Sequence, residues 1–235
     1  MATPPSAVLA RLLGWVSCLV AALLLTRVHL RLLALQPEPD PSVPGAAEKA
    51  PYAELAAGRG VRFVCVACSL AGSAATAAAG PLAPAWLIWG SGGVVLAGVD
   101  AASTWIPRGL TRLVLGELAA ALLLSAALAG DPRLIAGTLA GAGAVGGFFW
   151  LIWRAGTGLG FADVRLAVGL GALAGATAAA GASATAAVAA VLAAAVIGAL
   201  TGIVHAMGRA RHEPFPYGPA LWLGAYACLV WAAAG

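Results

Sequence analysis

Long apolar stretches separated by short polar ones run through almost the whole of this chain. Residues 7–26, 61–79, 82–99, 113–130, 134–153, 164–180, 185–207 and 219–234 each approach the ~20 residues that an α-helix needs to cross a bilayer core. Unpaired backbone amides are too costly in hydrocarbon for such stretches to be anything but helices. The pattern therefore predicts an all-α transmembrane bundle of about eight spans. Its softest boundaries are 80–84 and 180–185, where only Gly, Pro or Ser interrupts the apolar run, and reading through them gives six or seven spans. The first stretch has the length of a secretory leader. It is followed by Arg27 and Arg31 rather than by a small-residue cleavage site, so it reads as an uncleaved helix.

One segment breaks the pattern. Residues 36–60 carry prolines at 37, 39, 41, 44 and 51 and are too few to enclose a core. They predict an irregular linker with a surface helix near 53–57. The chain divides into a first helix (1–35), this proline-rich cytoplasmic linker (36–60) and a main bundle (61–235).

Composition sharpens the class. The chain is 62% hydrophobic and 9% charged, with a mean hydropathy of +0.95, where a soluble domain carries about 25% charge. Its net charge of +4 forms no basic patch of the kind that binds nucleic acid. Instead, alternating eight spans puts Arg27, Arg31, Lys49, Arg59, Arg62, Arg108, Arg112, Arg154, Arg165, Arg209 and Arg211 on one side, against Arg11 and Arg133 on the other. That bias marks the first side as cytoplasmic, with both termini outside, and predicts a multi-pass protein of the cell membrane. Cys18, Cys65, Cys68 and Cys228 all lie in apolar runs and read as small buried residues rather than as a disulfide or zinc framework. The Ala- and Gly-rich later spans are composed for close backbone approach, or reflect a general compositional bias.

Two acids stand out because carboxylates near hydrocarbon are costly unless protonated, paired or wetted. Asp100 ends the third apolar run and Asp163 begins the sixth, so both fall at the cytoplasmic face. Singly, each reads as an interfacial acid that caps a helix or meets an arginine. Together, two carboxylates within reach share a proton, one acting as base toward water and the other as acid. Gly156, Gly158 and Gly160 before Asp163 free the backbone for close approach. Ile106-Pro107 after Asp100 sets an extended lead-in to the fourth span, and the run from Pro214 through Pro216-Tyr217-Gly218-Pro219 does the same before the last one.

With these residues in place the chain resembles the type IV prepilin peptidases over roughly residues 85 to 230. The resemblance is carried by Asp100 with Ile106-Pro107-x-x-Leu110-Thr111, by Gly158-Leu159-Gly160-Phe161-Ala162-Asp163-Val164-Arg165-Leu166, and by Pro216-Tyr217-Gly218-Pro219-Ala220-x-x-Leu223-Gly224-Ala225. It implies a GxGD-type intramembrane aspartyl protease with Asp100 and Asp163 as the catalytic pair. Pro107, Gly158, Gly160, Arg165, Gly218 and Pro219 would support the substrate. Implied partners are membrane lipid and prepilin-like proteins with a basic leader and a hydrophobic helix; no cofactor or metal is implied. The chain departs from the family's pattern at Ala162, usually Gly, at Arg165, usually Lys, and in the additional Pro214. The linker lacks the paired CxxC motifs found in members that also methylate the mature pilin, so the expected activity is cleavage alone.

Glu117, inside the fourth span, is expected to snorkel toward Arg112 or to stand as a third acid. His205 and His212 read as interfacial. No GxSxG, HExxH or phosphate-loop motif occurs. A proton-coupled transporter centred on Glu117 and an inactive scaffold of a pilus or secretion system are the alternative readings.

Overall fold

The computed structural model describes residues 5–156, 159–181, 184–208 and 215–234. All regular elements among them are helical: α1 (Pro5–Ala34), α2 (Tyr52–Ala57), α3 (Arg59–Ala78), α4 (Ala83–Ile88), α5 (Val94–Ser103), α6 (Arg108–Ala129), α7 (Arg133–Arg154), α8 (Phe161–Ala179), α9 (Ala184–Gly208) and α10 (Gly218–Ala234). Seven helical stretches among the described residues are long and apolar enough to cross a membrane. The eighth, α10, is apolar and has 17 residues. The protein is a multi-pass, all-α membrane bundle of about eight spans.

Several helices are longer than their apolar runs. α1 continues past the expected end at 26, carrying Arg27, His29 and Arg31 as helical residues, and α6 and α8 begin at Arg108 and Phe161 rather than at 113 and 164. A terminal helical turn does not have to be apolar, because long basic side chains lay their stems along the helix and reach for the polar edge. α6 stops where Gly130 takes φ +64°. The Asp131 amide then bonds back to the Ala126 carbonyl (3.2 Å), and the Asp131 carboxylate accepts from the Arg133 amide (2.9 Å) to start α7.

The third span is assembled from pieces. A 3₁₀ turn (Gly80–Leu82) leads into α4, and a π turn over Trp89–Gly93 separates α4 from α5. Glycines at 90, 92 and 93 make that wide turn tolerable, and such turns leave polar backbone groups that hydrocarbon cannot satisfy. Here the indole N–H of Trp222 on α10 donates to the Trp89 carbonyl (2.9 Å), and the Trp89 indole donates to the Trp222 carbonyl (3.2 Å). On the opposite side, a Cβ on Gly92 would lie 2.9 Å from Val114 and 3.1 Å from the ring of His29. The π turn is held between α1, α6 and α10.

The linker folds back as a strap. The Glu38 carboxylate accepts from Lys49 Nζ (2.6 Å) and from the Tyr52 amide (2.7 Å), while Lys49 Nζ lies 3.6 Å over the Tyr52 ring. Burial opposes the Glu38 charge, but these two bonds outweigh it and hold the carboxyl below its usual range. Burial, and then the nearby Glu38, push the Tyr52 phenol up to about 12. The strap ends in α2, which covers the expected surface helix at 53–57.

The Ala- and Gly-rich spans do pack by backbone approach. Gly137 and Gly141 of α7 interleave with Gly175 and Gly171 of α8 so closely that a Cβ on any of the four would meet the facing carbonyl.

Candidate active site

Asp100 sits on the last turn of α5, which ends because Thr104 adopts a left-handed conformation (φ 57°) and returns its amide to the Asp100 carbonyl (2.7 Å). A β-branched residue at positive φ is strained. Hydroxyl bonds hold the turn in place: Ser103 to the Val99 carbonyl (2.9 Å) and Thr104 to the Ser103 carbonyl (2.7 Å). Pro107 follows in the extended conformation, and α6 starts on it, with the Thr111 hydroxyl bonded to the Pro107 carbonyl (2.8 Å). The proline therefore fixes the lead-in to α6.

The Asp100 side chain is only 4% exposed. Its Oδ2 accepts a 2.6 Å bond from the Gly218 amide, the first residue of α10. A Cβ on Gly218 would lie 2.8 Å from that oxygen and 3.0 Å from Asp100 Cβ. Close approach of a main-chain donor to this carboxylate thus requires glycine. Pro219 follows in the first turn of α10, where a missing amide costs nothing.

Asp163 is 6% exposed and lies in the first turn of α8, three residues after the cap Gly160. The Gly160 amide donates to Asp163 Oδ2 (3.0 Å), and the Asp163 amide to the Gly160 carbonyl (3.1 Å). A carboxylate at this third position satisfies an orphan amide of the helix start. Ala162 is helical, so the position filled by glycine in the resembled family has no need of one here.

Each carboxylate is therefore gripped by one glycine amide, and Asp163 lies close enough for its charge to act on Asp100. Tyr217, immediately before Gly218, links them. Its neighbour holds Asp100, and its own phenol is pushed up by burial and then by the Asp163 charge. The phenol donates to the Ala194 carbonyl of α9 (3.2 Å), and the ring packs on Phe149 of α7 at 5.9 Å. Among the described residues the two carboxyl groups share no direct hydrogen bond. Together the arrangement offers two buried acids from separate helices, at one end of the bundle, held by main-chain donors that do not titrate.

Arg165 lies half-buried one turn after Phe161, its guanidinium 5.8 Å from the Phe161 ring. Leu115 of α6 packs at the Gly169 position of α8, which sets Arg112 beside Arg165 one turn nearer the site. Arg108 and Arg112 act on Arg165 by repulsion and Asp163 by attraction. Beside the Asp100 turn, strap residues Pro37 to Asp40 and the segment 105–109 enclose a pocket of ≈ 430 Å³.

Of the expected supporting residues, Gly160 and Gly218 bond to the two acids, Pro219 follows Gly218 in α10, Pro107 starts α6, and Arg165 stands two residues after Asp163. Gly158, Arg209, Arg211, His212 and Pro214 lie outside the described residues, as does the side chain of His205. Glu117 neither snorkels to Arg112 nor joins the pair. Its carboxylate meets Nε2 of the fully buried His29 at 2.8 Å. Sequence reasoning missed His29 because it stands beyond the expected end of the first span. Trp89 and Trp222 were also missed; the glycine-rich run 90–93 was their available signal. The chain matches no family model, no curated protein and no solved structure.

Proposed function

We propose that this protein is a membrane aspartyl endopeptidase that removes the short N-terminal leader of type IV prepilin-like proteins at the cytoplasmic membrane face. The observation that carries the reading is the pair of buried carboxylates, Asp100 and Asp163, each fixed by a glycine amide at the same end of the bundle. Burial and mutual charge are the conditions under which two acids share one proton. The unprotonated partner takes a proton from water as the water oxygen attacks the scissile carbonyl. The protonated partner donates to the carbonyl oxygen, and the resulting diol collapses as the leaving amine takes a proton. The pocket between the strap and residues 105–109, lined by neither Asp100 nor Asp163, adjoins the turn that follows Asp100.

The test incubates the full-length protein in lipid with candidate prepilins and measures cleavage by mass. Asp100→Asn and Asp163→Asn should each lower the rate by at least about 10³-fold without loss of the folded protein, and the double variant should lose little more. Near-normal cleavage by either variant removes that residue from the mechanism.

A proton-coupled transporter is the second reading, supported by the pairing of Glu117 with His29 inside the spans. The two readings separate at Glu117→Gln. Proton-coupled uptake would be abolished, whereas leader cleavage would be largely kept.

A further inference from the structure

Away from the two acids, α1, α2 and α3 border a second polar cavity, of ≈ 430 Å³, that is open to the surface. Its lining is Arg27, Leu30, Arg31, Ala34, Ala53, Ala56, Ala57 and Arg62. Arg27 and Arg31 stand one turn apart on a single face of α1, and Arg62 projects from the first turn of α3. No carboxylate lines the cavity. Among the described residues the ion pairs are His29 with Glu117 and Lys49 with Glu38, so none of the three guanidinium groups has an acidic partner. Three like charges around one cavity are self-repelling until an anion joins them, and planar guanidinium forks suit the oxygens of a phosphate. The alanines of α2 and α1 form a wall of small side chains and leave the space open.

What surrounds the cavity identifies the anion's source. On α1, Leu24 and Val28 are 55% and 45% exposed, and on α3 Phe63 and Val64 are 74% and 49% exposed. Leu24 lies one turn before Arg27 and Val28 between Arg27 and Arg31 on α1, and Phe63 and Val64 directly follow Arg62 on α3, so the basic cavity borders apolar surface that in a multi-pass protein faces acyl chains. An occupant must be anionic at one end and apolar at the other. Basic pockets between transmembrane helices hold lipid head groups in this way.

We propose that the cavity lined by Arg27, Arg31 and Arg62 is a binding site for the phosphate head group of an anionic phospholipid, whose acyl chains lie along α1 and α3. Lipid bound there ties the strap helix α2 to the first two spans. The proposal is independent of the protease reading, because neither Asp100 nor Asp163 takes part.

The experiment places the full-length protein in nanodiscs of phosphatidylcholine with phosphatidylglycerol as the minor component. Native mass spectrometry then counts the lipid retained on release. Wild type should keep phosphatidylglycerol in preference to phosphatidylcholine. Arg31→Gln with Arg62→Gln should lower that retention by about tenfold or more. Ala53→Leu, which fills the cavity and leaves every charge in place, should lower it as well, while Arg133→Gln at the opposite end should not. Thermal unfolding guards against a folding artefact. Phosphatidylglycerol should raise the Tm of wild type over that in phosphatidylcholine alone, and should leave the Tm of the double variant unmoved. Equal retention of the two lipids, or undiminished retention by the double variant or by Ala53→Leu, overturns the proposal. So does a Tm increase with inorganic phosphate equal to that with phosphatidylglycerol, since the occupant would then be a soluble anion.

Discussion

The two halves of the bundle are held together by different forces. Around the π turn, α1, α3 and α6 are tied by polar side chains, and the turn itself to α10: His29 to Glu117 at 2.8 Å, Thr26 to Ser69 at 2.8 Å, and Trp89 to Trp222 through a reciprocal pair of indole bonds. Between α7 and α8 the contacts are made by Gly137, Gly141, Gly171 and Gly175, backbone against backbone. Lipid is as apolar as leucine, so burying apolar side chains drives helix association weakly; polar bonds and close van der Waals fit are the remaining means. Each half uses one of them. The candidate active site lies where they meet, with Asp100 on the polar-tied side, Asp163 on the glycine-packed side, and α10 between them supplying Gly218.

The largest effect should come from breaking the glycine seam. Gly141→Leu drives a side chain into the Gly171 carbonyl, and overpacking of this kind should cost about 3 kcal/mol. Gly143, which has open space at the Cβ position on the same helix, should accept leucine within about 0.5 kcal/mol. Unfolding by denaturing detergent measures both. Equal losses at 141 and 143 would mean that the seam is not what holds α7 to α8.

Next in size is a change at the junction. Gly218→Ala places a Cβ 2.8 Å from Asp100 Oδ2, so the carboxylate or the start of α10 must shift. A displacement near 1 Å should lower leader cleavage by about 10²-fold while the unfolding midpoint stays close to wild type. A parallel collapse of stability would instead make Gly218 a folding residue.

These two regions were unequally legible in the sequence. Apolar run lengths are set by bilayer thickness, so the eight helical positions could be read directly. Asp100, Asp163 and the proline lead-ins were visible because acids and prolines are rare in such runs. Three features were hidden. Hydropathy windows end where Arg27 and Arg31 begin, so His29 fell outside its own helix and Glu117 was left to seek an arginine. The glycine seam was left open because alanine and glycine look alike whether they face lipid or another helix, and only the partner's position decides. The π turn was hidden for a third reason, since glycines at 90, 92 and 93 fit a continuous apolar span as well as they fit an interrupted one.

A smaller effect is expected at the buried polar tie. Glu117→Gln keeps a hydrogen-bond partner for His29 and removes only the charge, so it should cost about 1 kcal/mol, read by the same detergent unfolding. Leader cleavage should persist. Combining Glu117→Gln with His29→Gln should cost less than the sum of the two changes, because they share one bond. Strict additivity would show that the pair is not coupled.

The strap carries the same kind of bond with its carboxylate open to water, and so sharpens the comparison at its small end. Lys49 and the Tyr52 amide both donate to Glu38; the Glu38 side chain is 47% exposed and that of Lys49 1%, and a pair open to water on its acidic side is worth about 1 kcal/mol or less. The sign follows from Glu38 being held below its ordinary value. Its contribution is present above the unfolded-state carboxylate range near ~4.3, and is lost as pH falls through the lower folded value. Hydrogen exchange at the Tyr52 amide reports the bond directly. Protection should be constant near neutral pH and fall on acidification below about 4, after correction for the intrinsic exchange rate. In Glu38→Gln it should start lower and lose that step. The same acid step persisting in the variant would assign the strap's closure to another group, with Asp40, held low by the Ser42 amide, the next candidate.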